Sequence, residues 1–262
     1  MMGFCRAGAD VEVSSVNLHY GEEPPISGHQ GSGTIFLTHC NMRCIYCQNF
    51  PISQQGVGNS YSMEKLVAAM LSLEERGAHN INFVTPSHYA VHVKCAIISA
   101  KERGLRIPIV YNTSGYDAPE TIEMLNGLVE IYMPDLRYFD GTHAKAYSDA
   151  QDYPEISRQV VRMMHEQVGD LMMDEKGVAQ KGLLIRLLVL PGRISGTVET
   201  LRWIAENLGV NTYLSVMSQY FPAHKAHDNP PLNRRVSHDE YAEVLDAVDK
   251  FGFERGYIQP IF

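Results

Sequence analysis

Short apolar segments alternate with longer amphipathic segments along most of the chain, and this alternation restricts the possible folds more than any other feature. Six apolar segments have the length and composition of strands, and helical periodicity follows each of them. This order is typical of a parallel sheet whose strands are joined by crossover helices. The predicted strands are residues 34–38, 80–84, 109–111, 129–133, 183–190 and 212–217.

Residues that favour helix ends support these assignments. Ser62 is a favourable N-cap, Gly77 and Gly104 suit helix ends, and Pro119 suits a first helical turn. The loops at the carboxyl ends of parallel strands form the active site in folds of this kind. Because the polar clusters of this chain follow its predicted strands, we expect a site at that end of the sheet. The predicted helices are residues 62–77, 89–103, 154–168, 197–208 and 237–251, with a further helix beginning at Pro119.

The composition is that of an ordinary globular chain. Of its 262 residues, 45% are hydrophobic and 20% are charged, which is enough to bury one large core. We therefore expect one domain over residues 1–262. Within it, residues 1–33 are expected to form an irregular N-terminal extension, and residues 219–262 a C-terminal loop and helix.

The charge balance bears on the possible partners. The formal net charge is −8, whereas nucleic acids and anionic membranes are bound by clustered Lys and Arg. No apolar run approaches the roughly 18–20 residues that are needed to cross a bilayer. We expect no nucleic-acid partner, no membrane partner and a cytoplasmic location, which also suits reduced thiols.

Three cysteines lie within eight residues, directly after the first predicted strand. They are Cys40, Cys44 and Cys47, and no other cysteine is near them in the sequence. Three thiolates on one loop can hold three corners of a cubic iron–sulfur cluster and leave the fourth iron without a protein ligand. An open iron is a place where a substrate or a cofactor can bind.

Structural zinc and disulfide bonds are the two alternatives to an iron–sulfur cluster at these cysteines. Structural zinc takes four closed ligands, but Cys5 and Cys95 are isolated, and His39 would have to turn back on the same short loop. Disulfides are typical of secreted scaffolds, and this chain has five cysteines and no signal peptide pattern. The cluster is favoured over both, with Cys5 inert and Cys95 packed inside the second helix as a small hydrophobe.

The CxxxCxxC spacing, with Tyr46 just before the third cysteine, resembles the signature of the radical S-adenosylmethionine (radical SAM) enzymes. Residues 44–49 are most similar to the branch that contains pyruvate formate-lyase activating enzyme. Residues 192–199 match the GxIxGxxE pattern that this family carries after its fifth strand, and residues 134–137 resemble its Asp-Leu-Lys segment. Extending over about residues 33–217, the resemblance implies an α/β fold with a partial (β/α)6 barrel, one 4Fe–4S cluster held by the three cysteines, and SAM as cofactor.

The resemblance also implies a set of cofactor contacts at the strand ends. Where the family carries Gly-Gly-Glu, this chain has Thr85-Pro86-Ser87-His88, whose carbonyls and hydroxyls can still accept hydrogen bonds from an amino group. Arg137 can form a fork with the cofactor carboxylate. The expected cofactor-binding residues are Tyr46, Gln48, Thr85, Ser87, Asn112, Ser114, Asp135, Arg137, Ile194, Ser195, Met217 and Gln219.

The catalytic residues are not identified by the sequence. His224 and His227 are candidates for proton transfer, because a histidine titrates near working pH. The alternative is that both are solvated loop residues. Asn112 and Ser114 have a similar alternative as turn-capping residues.

The function implied by the resemblance is that of a radical SAM oxidoreductase. It would cleave SAM reductively to a 5'-deoxyadenosyl radical, with a flavodoxin- or ferredoxin-like electron donor, and abstract hydrogen from a protein or peptide as the glycyl-radical activating enzymes do. One alternative is a radical SAM enzyme that acts on a small anionic metabolite, recognised by Arg234 and Arg235. Another is a non-catalytic metal-binding or electron-transfer module.

Overall fold

The computed structural model describes residues 4–261, and in this part of the chain ten strands form one sheet. The strands are β1 (Val11–His19), β2 (Ser32–Leu37), β3 (Asn59–Tyr61), β4 (Ile81–Val84), β5 (Ile109–Thr113), β6 (Ile131–Pro134), β7 (Met172–Met173), β8 (Ala179–Leu188), β9 (Tyr213–Met217) and β10 (Gly256–Ile258). The helices are α1 (Pro24–Ser27), α2 (Phe50–Ser53), α3 (Met63–Glu75), α4 (Ala90–Glu102), α5 (Pro119–Leu125), α6 (Gly141–Ser148), α7 (Tyr153–Val168), α8 (Thr197–Asn207) and α9 (His238–Phe251).

The order of the strands is β10-β9-β8-β6-β5-β4-β2-β1-β3, with β7 paired to β8. The strands from β2 to β10 along this path are parallel, whereas β1 is antiparallel to β2 and β3 is antiparallel to β1. The described strands therefore make an open, mostly parallel sheet whose edges are β3 and β10. This confirms the predicted α/β class and the partial barrel.

The two faces of the sheet pack differently. On the outer face, alternate strand residues join the helices in one large apolar core, to which α3 contributes Leu66, Val67 and Met70. On the inner face, residues of β5, β6 and β8, among them Val110 and Ile131, pack with Ile26 of α1. Because Ile26 is fully buried there, α1 fills part of the concave side of the sheet.

Most predicted helices begin and end within one or two residues of their observed bounds, because their caps are local signals. The Ser62 hydroxyl accepts a hydrogen bond from Lys65 N at the start of α3, and Ser237 forms a capping box with Glu240 at the start of α9. None of the helices in residues 4–261 combines the length and the apolar composition that crossing a membrane requires.

The N-terminal extension was predicted wrongly as irregular. Its residues 11–19 form β1, which pairs with β2 over most of its length. Only Val11 and Val13 of β1 are fully buried, so the strand lacks the long apolar alternation that identifies a strand in a sequence. The C-terminal loop and helix are followed by the short strand β10, and Cys95, predicted to be buried, is exposed on α4.

Candidate active site

The three clustered cysteines lie in the loop between β2 and α2, at the carboxyl end of the sheet. Backbone hydrogen bonds tie this loop to two distant segments. Arg43 N donates to Ser148 O at 3.0 Å, and Ile45 N donates to Tyr147 O at 2.9 Å, both at the end of α6. On the other side, Lys225 N donates to Ile45 O at 2.8 Å. The loop is therefore held in place by chain that lies about a hundred residues or more further along.

The three thiols line one cavity, called here the cysteine cavity, and their sulfur atoms have hydrogen-bond partners. Ser148 Oγ donates to Cys44 Sγ at 3.0 Å, and Met42 N donates to Cys40 Sγ at 3.4 Å. The sulfur of Cys47 lies 3.1 Å from the Ser53 hydroxyl. Donors aimed at sulfur stabilise thiolates, which is the form that binds iron.

Burial changes the acidity of the Cys40 and Cys47 thiols. Burial, with a smaller effect of neighbouring Cys44, raises the pKa of the Cys40 thiol to about 12 and also raises the pKa of Cys47. The metal-free chain therefore keeps these protons, and iron has to displace them when it binds. Within residues 4–261, no three His, Cys, Asp or Glu side chains are placed to hold one metal ion together. The thiols instead surround a cavity, as ligands to separate irons of a cluster do.

Five of the expected cofactor residues share the cysteine cavity. These residues come from the ends of β4, β5 and β6, and Arg186 of β8 joins them. They are Thr85, Asn112, Ser114, Asp135 and Arg137. The carboxyl ends of neighbouring parallel strands thus bring together residues as far apart in the sequence as Thr85 and Arg186.

Asp135 connects two arginines at the base of this cavity. Its carboxylate accepts from Arg137 Nη2 at 2.6 Å and from Arg186 Nε at 2.8 Å, and Arg186 Nη2 donates to Asn112 Oδ1 at 2.9 Å. Burial alone would raise the pKa of Asp135, but the two guanidinium groups outweigh burial and lower it. The carboxylate is therefore charged and fixes both arginines.

Arg137 lies between this carboxylate and the cysteine loop. Its Nη1 atom is 3.5 Å from Cys44 Sγ, and its backbone N donates to the Tyr153 hydroxyl at 2.9 Å. The buried Nε atom of Arg137 has no hydrogen-bond partner. A buried guanidinium with an unused donor beside the thiols suits the carboxylate of SAM. The side chains of the cavity therefore suit the two cofactors that the sequence implies, with thiols for the cluster and a guanidinium for the SAM carboxylate.

Ser87 is held by a buried network that the sequence did not predict. Its hydroxyl lies 3.1 Å from Thr113 Oγ1, and Thr113 donates in turn to Asp117 Oδ2 at 2.5 Å. Asp117 also accepts from the Tyr111 hydroxyl at 2.9 Å, and burial raises its pKa. This network fixes the hydroxyls at the ends of β4 and β5, although Ser87 does not line the cysteine cavity.

The remaining expected residues lie elsewhere. Tyr46 is buried in an apolar cluster that also contains Ile194, and its ring contacts Tyr138 and Tyr220 edge to face at centroid distances of 6.4 and 6.0 Å. Ser195 is buried, and its hydroxyl accepts from Leu190 N at 3.3 Å. Tyr46 and Ile194 pack with the cysteine loop, and neither they nor Ser195 line the cysteine cavity.

The polar residues after β9 are also outside the cysteine cavity. The Gln48 side chain reaches only Gln219 O, at 3.5 Å, while Met217 and Gln219 line a second cavity. His224 stacks on the ring of Phe50 at 4.8 Å, and His227 is exposed. The structure does not bring either histidine to the cysteine cavity.

Two acidic residues of the N-terminal extension approach the site and were missed by sequence reasoning. The carboxylates of Glu22 and Glu23 lie 3.6 and 3.9 Å from Arg186 Nη1. Burial raises the pKa of Glu22 to about 7, with Arg186 opposing this shift and Glu23 adding to it. No sequence signal places these residues in the site, because they reach it through the unpredicted β1 and α1.

The raised pKa of Glu22 predicts a pH-dependent effect on stability. The contribution of Glu22 to the free energy of unfolding is fully present below its unfolded pKa of 4.5 and is lost as the pH rises through about 7. The free energy of unfolding of Glu22→Gln, taken relative to that of wild type, should therefore rise by up to about 3 kcal/mol between about pH 4 and about pH 8. Urea unfolding at both pH values measures this change.

Glu206→Gln is the matched control, because Glu206 is exposed on α8. Its stability relative to wild type should be the same at both pH values. A Glu22→Gln variant whose relative stability also does not change with pH would show that Glu22 ionises normally in the folded protein.

The comparisons with known proteins agree with this geometry. A family model described as the radical SAM superfamily matches residues 34–192. An uncharacterized protein of Methanocaldococcus jannaschii is 28% identical over an aligned region of 266 positions, gaps included, which covers 97% of this chain and 72% of that protein.

Two solved structures are similar in fold. HydG, a maturase of the FeFe-hydrogenase, superposes with a TM-score of 0.58 at 15% identity over 86% of this chain and 50% of the HydG chain. Methylornithine synthase (PylB) superposes with a TM-score of 0.56 at 15% identity over 82% of this chain and 62% of that chain. The chain thus spans half to less than two thirds of the length of these proteins, and the likeness concerns the fold.

Proposed function

The chain belongs to the radical SAM superfamily, whose members use a 4Fe–4S cluster and SAM, and from this we propose that it abstracts hydrogen from a peptide or protein substrate. The observation that supports the proposal best is the cysteine cavity, in which three thiols face Arg137 and Asp135 at the carboxyl ends of parallel strands. When bound, the cluster and SAM supply an electron and a 5'-deoxyadenosyl radical.

The residues of the cysteine cavity have separate tasks in this proposal. Cys40, Cys44 and Cys47 hold the cluster, and Arg137 binds the carboxylate of SAM. Asp135 orients Arg137 through the 2.6 Å hydrogen bond and keeps it charged. The apolar cluster around Tyr46 covers the buried side of the cysteine loop and excludes water from it.

Access to the site supports a substrate larger than a metabolite. The sheet is open between its edges, and a second cavity lies beside β9 and β10. The alternative of a small anionic metabolite lacks support, because Arg234 already makes a two-pronged pair with Glu240, at 2.7 and 2.8 Å. A flavodoxin- or ferredoxin-like protein is the proposed electron donor, since Cys5 and Cys95 alone cannot hold a second cluster.

The proposal is tested by anaerobic reconstitution with iron and sulfide, followed by incubation with reductant and SAM. Formation of 5'-deoxyadenosine should increase when the protein fraction of a cell extract is added, and a carbon-centred radical should appear on a partner protein by EPR. Stimulation by the small-molecule fraction alone would refute the peptide substrate. Reconstituted protein that never cleaves SAM would refute the enzyme activity itself.

The hydrogen bond from Ser148 to Cys44 predicts an effect on the cluster potential. A donor at a cluster sulfur stabilises the more electron-rich reduced state, so Ser148→Ala should lower the reduction potential. The loss of one such bond corresponds to about 30–60 mV. An EPR-monitored redox titration measures the potential.

Ser157→Ala is the control for this measurement. Ser157 is also fully buried, but its hydroxyl contacts only Pro154 O of its own helix. Its potential should match that of wild type. Equal potentials in all three proteins would mean that the Ser148 hydroxyl does not face a cluster sulfur.

A further inference from the structure

A second cavity of ≈ 590 Å³, called here the side cavity, lies outside the cysteine cavity. Its walls come from the segment after β1 and from the ends of β9 and β10, and they include Glu22, Glu23, Ser215, Met217 and Gln219. The two cavities are neighbours, because Arg186 lines the cysteine cavity and its Nη1 atom is 3.6 Å from Glu22 Oε2. A group bound in the side cavity is therefore one side chain away from the proposed SAM site.

Several buried polar atoms around the side cavity have no hydrogen-bond partner. Ser215 is 1% exposed and lines the cavity, and its hydroxyl is unpaired. Glu23 is 7% exposed, and its Oε2 atom makes no hydrogen bond. Buried polar atoms are almost always paired in folded proteins, so these two atoms are available to a donor from outside the chain.

Asn82 lies behind this set, next to Glu22, and does not line the side cavity itself. Its neighbours Ile81 and Phe83 belong to the outer core, so strand alternation places Asn82 on the inner face of the sheet. Asn82 is fully buried, its side-chain amide faces the Glu22 carboxylate, and its Oδ1 atom has no hydrogen-bond partner. Carboxylate, hydroxyl and amide oxygens can all accept hydrogen bonds, so the unpaired set is rich in acceptors.

The local charges also favour a cation. The Asp135 carboxylate accepts hydrogen bonds from Arg137 and from the Nε atom of Arg186. Glu22 and Glu23 lie beyond hydrogen-bonding distance of Arg186, at 3.6 and 3.9 Å. Asp135 and Glu23 thus balance the two arginines, and Glu22, whose pKa is about 7, adds a further negative charge when a cation beside it favours its ionised form. The one further cation on the wall among the described residues, Lys176, is exposed.

We propose that the side cavity binds a primary amine or a guanidinium group of the substrate, with Glu23 and Ser215 accepting its hydrogen bonds. The inference rests on the proposed function only in treating the bound group as part of the substrate. An ammonium carries three donors and no acceptor, and a guanidinium carries five donors, which matches the unpaired acceptors. Either a free diamine or a lysine or arginine side chain of a peptide presents this group.

Isothermal titration calorimetry of the reconstituted protein tests this proposal. The probes are putrescine, agmatine and a lysine-containing peptide, with butanediol and succinate as neutral and anionic comparisons. At least one cationic probe should bind wild type, and Glu23→Gln should weaken that binding by a factor of about 10 to 100. Binding of the free amines identifies a small-molecule source, and binding of the peptide alone identifies a side chain. Both support the proposal.

Glu206→Gln is again the control and should bind the same probe as wild type does. The proposal is overturned if no cationic probe binds wild type, if Glu23→Gln binds them equally well, or if succinate binds more tightly than the amines. Formation of 5'-deoxyadenosine by the wild-type protein distinguishes a failure of the side-cavity assignment from a failure of the proposed function. Protein that cleaves SAM but binds no cation contradicts the side-cavity assignment and leaves the proposed function intact.

Discussion

Replacing Cys44 by alanine should abolish assembly of the cluster. Cys44 is the most buried of the three clustered cysteines, at 4% exposure, and it receives hydrogen bonds from Ser148 and Arg137. Without its thiolate, two cysteines remain on the loop, and the cluster loses one of its three protein ligands. After anaerobic reconstitution we expect iron and sulfide content to fall at least about tenfold, a loss of more than 1.4 kcal/mol in binding free energy. The EPR change on adding SAM should disappear as well.

Cys95→Ala is the matched control for this experiment. Cys95 is exposed on α4 and has no contact with the cysteine loop among the hydrogen bonds of residues 4–261. This variant should keep both the iron content and the SAM-dependent EPR signal. Circular dichroism should show that Cys44→Ala is still folded. A folded Cys44→Ala protein that assembles the same cluster and responds to SAM would refute the assignment of Cys44 as a ligand.

The part of the site that could be predicted from sequence depends on local patterns. Strands and helices were identified from apolar periodicity and caps, and the strand order then placed Asn112, Asp135 and the cysteines at one end of the sheet. Parallel pairing then brings these residues close together, since the carboxyl ends of neighbouring strands must lie side by side. For this reason Thr85, Asn112 and Asp135 were expected where they are found.

The residues that were missed depend on contacts between distant segments. Arg186 lies within an apolar run and was assigned to a buried strand, but alternation between Ile185 and Leu187 turns its side chain to the inner face. Ser148 ends a helix that was not predicted, and Glu23 reaches Arg186 only because β1 pairs with β2. No local pattern contains this information.

The glycine-rich segment after β8 can be identified from the sequence, but the directions of its side chains cannot. Gly196 has φ +59°, and a Cβ atom there would lie 2.6 Å from Phe139 Cβ. The segment therefore requires glycine for its backbone path and its close contact. Ile194 and Ser195 are both buried, Ile194 in the apolar cluster with Cys44 and Tyr46, and neither lines the cysteine cavity.

Asp135→Asn should be the most destabilising single change in the site. The substitution removes the one carboxylate that hydrogen-bonds to both Arg137 and Arg186, and it leaves two guanidinium groups that are only 26% and 17% exposed. Removing one partner of a buried ion pair costs about 3–5 kcal/mol. We expect a decrease of that size in the free energy of unfolding, measured by urea denaturation near neutral pH. Affinity for SAM should fall in parallel, because Arg137 loses its orientation.

The pH dependence distinguishes the charge of Asp135 from its shape. The folded-state pKa of Asp135 is lowered, because the effect of the two arginines exceeds that of burial. The contribution of Asp135 to the free energy of unfolding is therefore present above its unfolded pKa of 3.8 and is lost as the pH falls through the lower folded-state pKa. The difference in the free energy of unfolding between wild type and Asp135→Asn should therefore become smaller only in strong acid. Asp246→Asn, on the exposed face of α9, should match wild type throughout. A deficit of Asp135→Asn that persists unchanged in strong acid would mean that the loss comes from packing and that the arginines do not depend on this carboxylate.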